Sequence, residues 1–273
     1  IITQRYSTSF TKGIQTLHKR FHLPIYAIYG FVRVADEIVD TFHGFNKQLL
    51  LDEFKQDTWN AIRNGIRAHA LEKGYSFYDI RNHTGLLRNL LVRLCTTGDL
   101  MVNLVFGEDD EKAREDMMGY IKKEFPSITS LYYTINRKFN DSLGDQHPIL
   151  YHGNAFAIEQ LGGLKFKVGP KSFFQTNSTQ AEQLYQITKD FAELKGTEIV
   201  YDLYTGLGSI ALYLAANAKH IIGIEEIPAA IEDAKVNAKD NHIENVDFIA
   251  GDVRFLFHSE LIQQFGKPDL IIT

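Results

Sequence analysis

One cysteine, Cys95, in 273 residues excludes an internal disulfide framework and any metal site built from cysteines. Positive charge is not in excess either. The chain has 29 Lys and Arg against 34 Asp and Glu, a net charge of -5, and a sequence pI near 6.1. Contact with nucleic acid would therefore have to come from a local patch and not from a global basic field. No run approaches the roughly 18 uninterrupted apolar residues that suggest a membrane span, and no secretory signal opens the chain. No membrane anchor and a cytoplasmic location are the resulting expectations. Internal repeats and low-complexity stretches are also missing, which argues against a solenoid or a disordered linker. The chain opens on Ile1 and stops at Thr273, inside an apolar strand, so both ends look cut.

Against these absences stands residues 196–225, GTEIVYDLYTGLGSIALYLAANAKHIIGIE. This stretch spells strand, glycine turn, helix, strand and a terminal acid. Gly206 and Gly208 would let the backbone approach a ligand that a Cβ would repel. The helix amides from Ser209 onward face the same space. Glu225, at the end of the second strand, could accept both ribose hydroxyls of an adenosine. Gly206-x-Gly208-x-x-Ala211 also fits the dinucleotide pattern, but there the first glycine follows the strand directly. Here Asp202-Leu203-Tyr204-Thr205 intervenes. A carboxylate at the strand end repels a pyrophosphate and attracts an ammonium or sulfonium, so S-adenosylmethionine fits better than a nicotinamide dinucleotide. An ordinary glycine turn between strand and helix is the plain alternative.

Along the chain, residues 6–20, 24–40 and 46–66 carry apolar residues at helical spacing, with Pro24 where a helix can start. The pattern then becomes mixed. Strands are expected at 86–94 and 100–106, joined by Thr96-Thr97-Gly98-Asp99 as a hairpin turn. A helix follows at 108–124, with acids at its start and Lys122 and Lys123 at its end. Further strands are expected at 128–136, 149–152, 155–160 and 164–168. A helix over 179–194 leads into alternating strands and helices up to 273, the pattern of a parallel sheet with crossover helices. The expected fold is α/β: a partial doubly wound sheet of four strands, preceded by an α+β module and an all-α N-terminal fragment. The boundaries fall at 1–62, 63–178 and 179–273.

Two resemblances follow. Tyr6-x-x-Ser9-Phe10 and the run from Ile25 to Asp40 resemble the first aspartate-rich segment of phytoene and squalene synthases. Asp36 and Asp40, at i and i+4 on one helix face, could jointly bind Mg²⁺ that bridges to phosphate; a solvated helix face is the alternative. That resemblance implies head-to-head prenyl diphosphate condensation, and it covers only residues 3–62. The second aspartate-rich helix of that family has no counterpart here.

From about Arg63 to Thr273 the chain resembles the RNA uracil-5 methyltransferases that act on ribosomal RNA. The motifs that carry this are Asp79-Ile80-Arg81-Asn82-x-Thr84-Gly85-Leu86-Leu87-Arg88-Asn89, Gly169-Pro170-Lys171-Ser172-Phe173-Phe174-Gln175-Thr176-Asn177, the Asp202 to Ser209 turn, Gly223-Ile224-Glu225, and Asn245-x-x-Phe248-x-x-Gly251-Asp252. The resemblance implies that Gln175, Tyr204, Ser209, Glu225 and Asp252 contact S-adenosylmethionine. Leu207 departs from the usual small or polar residue. Gln175 could also be a plain turn residue. In that family a cysteine thiolate adds to C6 of uracil and a carboxylate later removes the C5 proton; both are expected beyond Thr273. Cys95 reads as a small buried residue. Arg81, Arg88, Arg93, Lys165, Lys167 and Lys171 could meet RNA phosphates or form a solvated surface. The joint expectation is a chimera with its seam near residues 60–66 and with neither parental activity.

Overall fold

The structure, a computed structural model, describes residues 57–256 and 259–273, all within one compact unit that spans 55–273. The expectations for residues 1–56, including the metal pair Asp36 and Asp40, lie outside the described residues.

Helix α1 (Asp57–Lys73) runs unbroken through residues 60–66, so the boundary expected at 62 falls inside it. Ile62, Ile66 and Ala70 recur every four residues and are all buried. That spacing aligns them on one helix face, which joins a core with Leu104, Phe106, Met117 and Ile121. Strands β1 (Leu87–Leu94), β2 (Leu100–Phe106), β3 (Ser130–Ile135) and β4 (Ile149–Gly153) form a sheet in that order. The outer pairs are antiparallel and β2 and β3 are parallel. A parallel pair needs a crossover, and α2 (Glu111–Glu124) supplies it. The helix begins three residues later than the pattern suggested because Asp110 is its N-cap, accepting the Ala113 amide at 3.0 Å. The β1–β2 turn is the expected one, with Gly98 at φ +92°.

Strands β5 (Ala157–Leu161) and β6 (Leu164–Val168) form a hairpin closed by Gly162 and Gly163. Both glycines have positive φ, as a two-residue turn of this kind requires. The hairpin buries Leu161, Phe166 and Val168 in the core of the second sheet. That sheet is wholly parallel, in the order β10-β7-β8-β9, with β7 (Ile199–Leu203), β8 (His220–Glu225), β9 (Val246–Ala250) and β10 (Leu270–Ile272). Helices α3 (Ser178–Ala192), α4 (Ser209–Leu214) and α5 (Pro228–Asp240) contribute to the core on one face. Tyr201, Ile222 and Ile224 face the other way, toward Leu261. Short helices α6 (Val253–Leu256) and α7 (Ser259–Phe265) follow β9; α6 had no periodic signal because it is four residues long. The chain leaves β7 toward β8 and returns on its other side as β10, so the strand order reverses at β7. In open α/β sheets such a reversal opens a crevice at the carboxyl ends of the strands.

Candidate functional site

At the carboxyl end of β7, Asp202 is 3% exposed and accepts the Thr205 hydroxyl at 2.6 Å. Burial is the main cause that raises its pKa, to about 6; the neighbouring Glu225 charge pushes the same way, while Thr205 and the Ala211 amide oppose it. The chain then turns sharply. Tyr204, Gly206 and Gly208 all have positive φ, a conformation costly for Tyr204, whose side chain stands 63% exposed at the rim. A Cβ at Gly206 would meet nothing within 4 Å, whereas one at Gly208 would lie 2.8 Å from the Phe248 ring. Gly206 therefore borders open space, and Gly208 is required for packing. Leu207 turns inward and is buried in the core, which accounts for an apolar residue in a polar turn.

Glu225 ends β8 beside this turn. Its carboxylate accepts the Gly206 amide at 3.2 Å and the Ile227 amide at 3.0 Å, which fixes its orientation before any ligand arrives. Ser209 opens α4 and shares a 2.7 Å hydrogen bond with the Tyr185 hydroxyl of α3. Asp252 follows β9 and is tied to Arg254 through that residue's amide and guanidinium. This pairing holds the Asp252 carboxyl below the usual carboxylate range. Gln175 lies exposed between β6 and α3, two residues before Asn177, which caps α3 by accepting the Gln180 amide at 3.2 Å.

The residues picked from the turn and the strand ends, Asp202, Tyr204, Gly206, Gly208, Ser209 and Glu225, are thus one constellation. Asp252 comes from the end of the next strand. Several supports escaped sequence reasoning. Buried Asn237 accepts the Lys167 amide at 2.8 Å and faces the Leu207 carbonyl, linking α5 to β6 and to the turn. Ser172 donates to Asp233 of α5 at 2.7 Å, and its carbonyl accepts from Arg93 of β1 at 3.0 Å. No local pattern marks these links, because their partners lie 30 to 79 residues apart. Thr205 beside Asp202, Ile227 beside Glu225 and Arg254 beside Asp252 lie two or three residues from the acids they hold, within reach of a short-range reading.

Of the six cations considered for RNA, four have internal partners. Arg88 and Arg93 donate to backbone carbonyls, Lys167 pairs with Asp240, and Lys171 donates to the carbonyls of Gly144 and Gln146. Cys95 is 3% exposed, in a cluster with Met101, Tyr132 and Ala157. Among the described residues no group of three or more His, Cys, Asp and Glu could hold a metal, and no helix is long and apolar enough to cross a membrane.

A parallel sheet whose strand order reverses beside a glycine turn, with an acid closing the neighbouring strand, defines a Rossmann-like α/β domain. Comparison with known proteins agrees: a methyltransferase-domain family model matches residues 194–273. An uncharacterized RNA methyltransferase of Porphyromonas gingivalis is 50% identical over 214 residues, 78% of this chain and 46% of that protein. One from Bacteroides thetaiotaomicron is 47% identical over 234 residues, 84% of this chain and 52% of the relative. The chain thus has RNA methyltransferase homologues and spans about half the length of those it matches. Among solved structures, the Pyrococcus abyssi tRNA (uracil-54, C5)-methyltransferase in complex with S-adenosyl-L-homocysteine superposes with a TM-score of 0.57 at 27% identity, over 70% of this chain and 46% of that one. None of these matches supports a prenyl-synthase origin for residues 3–62, a prenyl diphosphate condensation, or a Mg²⁺ site. The Bacteroides match is longer than residues 63–273, so it reaches into the stretch assigned to the other parent.

Proposed function

We propose that this chain binds S-adenosylmethionine at the carboxyl ends of β7, β8 and β9 and serves methylation of uracil C5 in RNA, with ribosomal RNA the substrate class that the motifs favour. The observation that carries the cofactor reading is the Glu225 carboxylate, oriented by the Gly206 and Ile227 amides beside a turn that is open at Gly206. The residues fit the group. Glu225 would hold the ribose hydroxyls, the exposed Tyr204 ring and Asp252 would flank the adenosine, and Asp202 would favour the cationic methionine end. Gly206, Gly208 and Ser209 line the approach, and Gln175 would close it from the segment before α3. When bound, S-adenosylmethionine supplies an electrophilic methyl group. The likeness to a uracil C5 enzyme supports that base and atom over other positions.

The chain's own residues bind and orient. Asp202, ionised above about pH 6, supplies a fixed negative charge in a place from which water is excluded, where a cation gains most. The Thr205 hydroxyl and the Ala211 amide hold that carboxyl in place. The addition step at C6 needs a nucleophile, and buried Cys95 is not placed to be one. Residues 63–178 are proposed as the module that presents RNA, and 179–273 as the cofactor domain.

Calorimetric titration with S-adenosylhomocysteine tests the cofactor reading. Saturable binding that Glu225→Ala abolishes is expected, and a chain that ignores the ligand refutes it. Incubating RNA with methyl-labelled S-adenosylmethionine and the protein, followed by nucleoside analysis, tests the base. Label in a nucleoside other than 5-methyluridine would refute the uracil C5 assignment.

A further inference from the structure

Arg88 of β1 has a side chain only 2% exposed, yet it is bonded to the loop that follows β3. Its guanidinium donates to the carbonyls of Asn136, Lys138 and Asn140, and its Nε to the Asp141 carboxylate at 3.1 Å. Asn136 tightens the same loop, donating to the Asn140 carbonyl and accepting the Lys138 amide. One buried cation therefore folds residues 136–141 around itself. The large apolar side chain this leaves outside is Phe139, which is 78% exposed.

The Phe139 ring is not alone. It lies 4.5 Å from the His83 imidazole, centroid to centroid, at 45°. His83 belongs to a second tight turn, in which the Asp79 carboxylate accepts the amides of Arg81 and Asn82 and the Asn82 side chain. His83 is held at φ +55°, and its Nδ1 meets the Tyr78 hydroxyl at 3.3 Å. The Arg88 guanidinium stacks 4.2 Å over Tyr78, so the same arginine supports both turns. The acids nearby have partners: Asp79 these amides, Asp141 Arg88, and Asp145 Lys138. The cations Arg81 and Arg137 are exposed, two residues before His83 and Phe139 respectively; Arg137 has only a loose 3.6 Å contact with Asp109.

We propose that Phe139 and His83 form a stacking platform for one unpaired RNA base, with Arg81 and Arg137 placed for the flanking phosphates. The platform belongs to the module of β1 to β4 and is distinct from the strand ends where the cofactor is assigned. It rests on the reading that this chain acts on RNA. A solvent-facing ring on a loop held by Arg88 and bordered by cations suits a base, which offers a flat π face and a negative backbone. A protein partner would call for a broader contiguous apolar patch. Holding the loop backbone in advance lowers the ordering cost that the arriving base would otherwise meet.

The test is fluorescence anisotropy of the full 273-residue chain with a labelled single-stranded RNA of mixed sequence and with its duplex. Phe139→Ala should weaken single-strand binding about tenfold and leave duplex binding unchanged. Phe139→Trp should bind as the wild type does, and Phe139→Leu should resemble the alanine variant. Thermal melting of Phe139→Ala should match the wild type, since the ring is exposed. Wild-type binding that survives Phe139→Ala, or a leucine variant that binds as tightly as tryptophan, overturns the platform alone. A wild type that binds no RNA overturns the RNA reading and the platform with it. Loss of self-association in Phe139→Ala, with RNA affinity unchanged, would assign the ring to a second copy of this chain and overturn the platform.

Discussion

Replacing Asp202 by Asn should stabilise the protein at neutral pH even as it removes a residue assigned to the cofactor. The carboxyl is buried at the end of β7 and its pKa is raised to about 6 from an ordinary value of 3.8. The folded state thus keeps this proton to a higher pH than the unfolded chain does. Its contribution is fully present below about pH 4 and is lost as pH rises through about 6. At about 1.4 kcal/mol for each tenfold change in proton affinity, the ionised group costs the fold about 3 kcal/mol at pH 7. Asparagine removes that cost and can still accept from Thr205, but its amide brings donors into a site built from acceptor contacts. An unsatisfied buried donor costs about 1–3 kcal/mol, which leaves a net gain of about 1 kcal/mol. The sharper signal is the pH dependence. Urea unfolding of wild type and Asp202→Asn across pH 4 to 8 should show the variant gaining on the wild type by about 3 kcal/mol as pH rises. A difference that does not change with pH would refute both the burial argument and the assignment of the charge.

The same proton should govern the ligand. If the methionine end of S-adenosylmethionine is held by ionised Asp202, affinity should rise as pH climbs through about 6, and calorimetry in buffers of different ionisation heat should detect proton release; Asp202→Asn should flatten both. Gly208→Ala should destabilise more than Gly206→Ala in thermal melts. Each forces a Cβ into positive φ, at about 1–2 kcal/mol, but only at 208 does the new atom lie 2.8 Å from Phe248; equal losses would show that the ring moves freely. Asn237→Ala should cost about 1–3 kcal/mol by leaving the Lys167 amide unpaired, read as a lower urea midpoint.

Much of this molecule is legible along the chain, because the signals are local. Apolar, strand-forming runs bounded by turn residues placed β1, β2, β6, β8 and β9 almost to the residue. The glycines after β7 and the acid closing β8 announced the turn and its partner, since each must satisfy a constraint within its own βαβ unit. The run from Leu86 to Phe106 was legible as a hairpin because its turn residues lie between two strands of matched length.

What those residues touch is set by packing between distant elements. That Asp202 is buried and hard to ionise, that Asp252 is tied to Arg254, and that Ser172, Asn237 and Tyr185 hold the site from other elements all depend on distant packing. The arginines show this most plainly. In sequence, Arg81 and Arg88 are two cations in one motif, yet folding exposes the first and spends the donors of the second on a loop about 50 residues away. Charge can be read from a chain, but desolvation is a property of the folded molecule, and desolvation decides whether a charged side chain meets a ligand or holds a fold together.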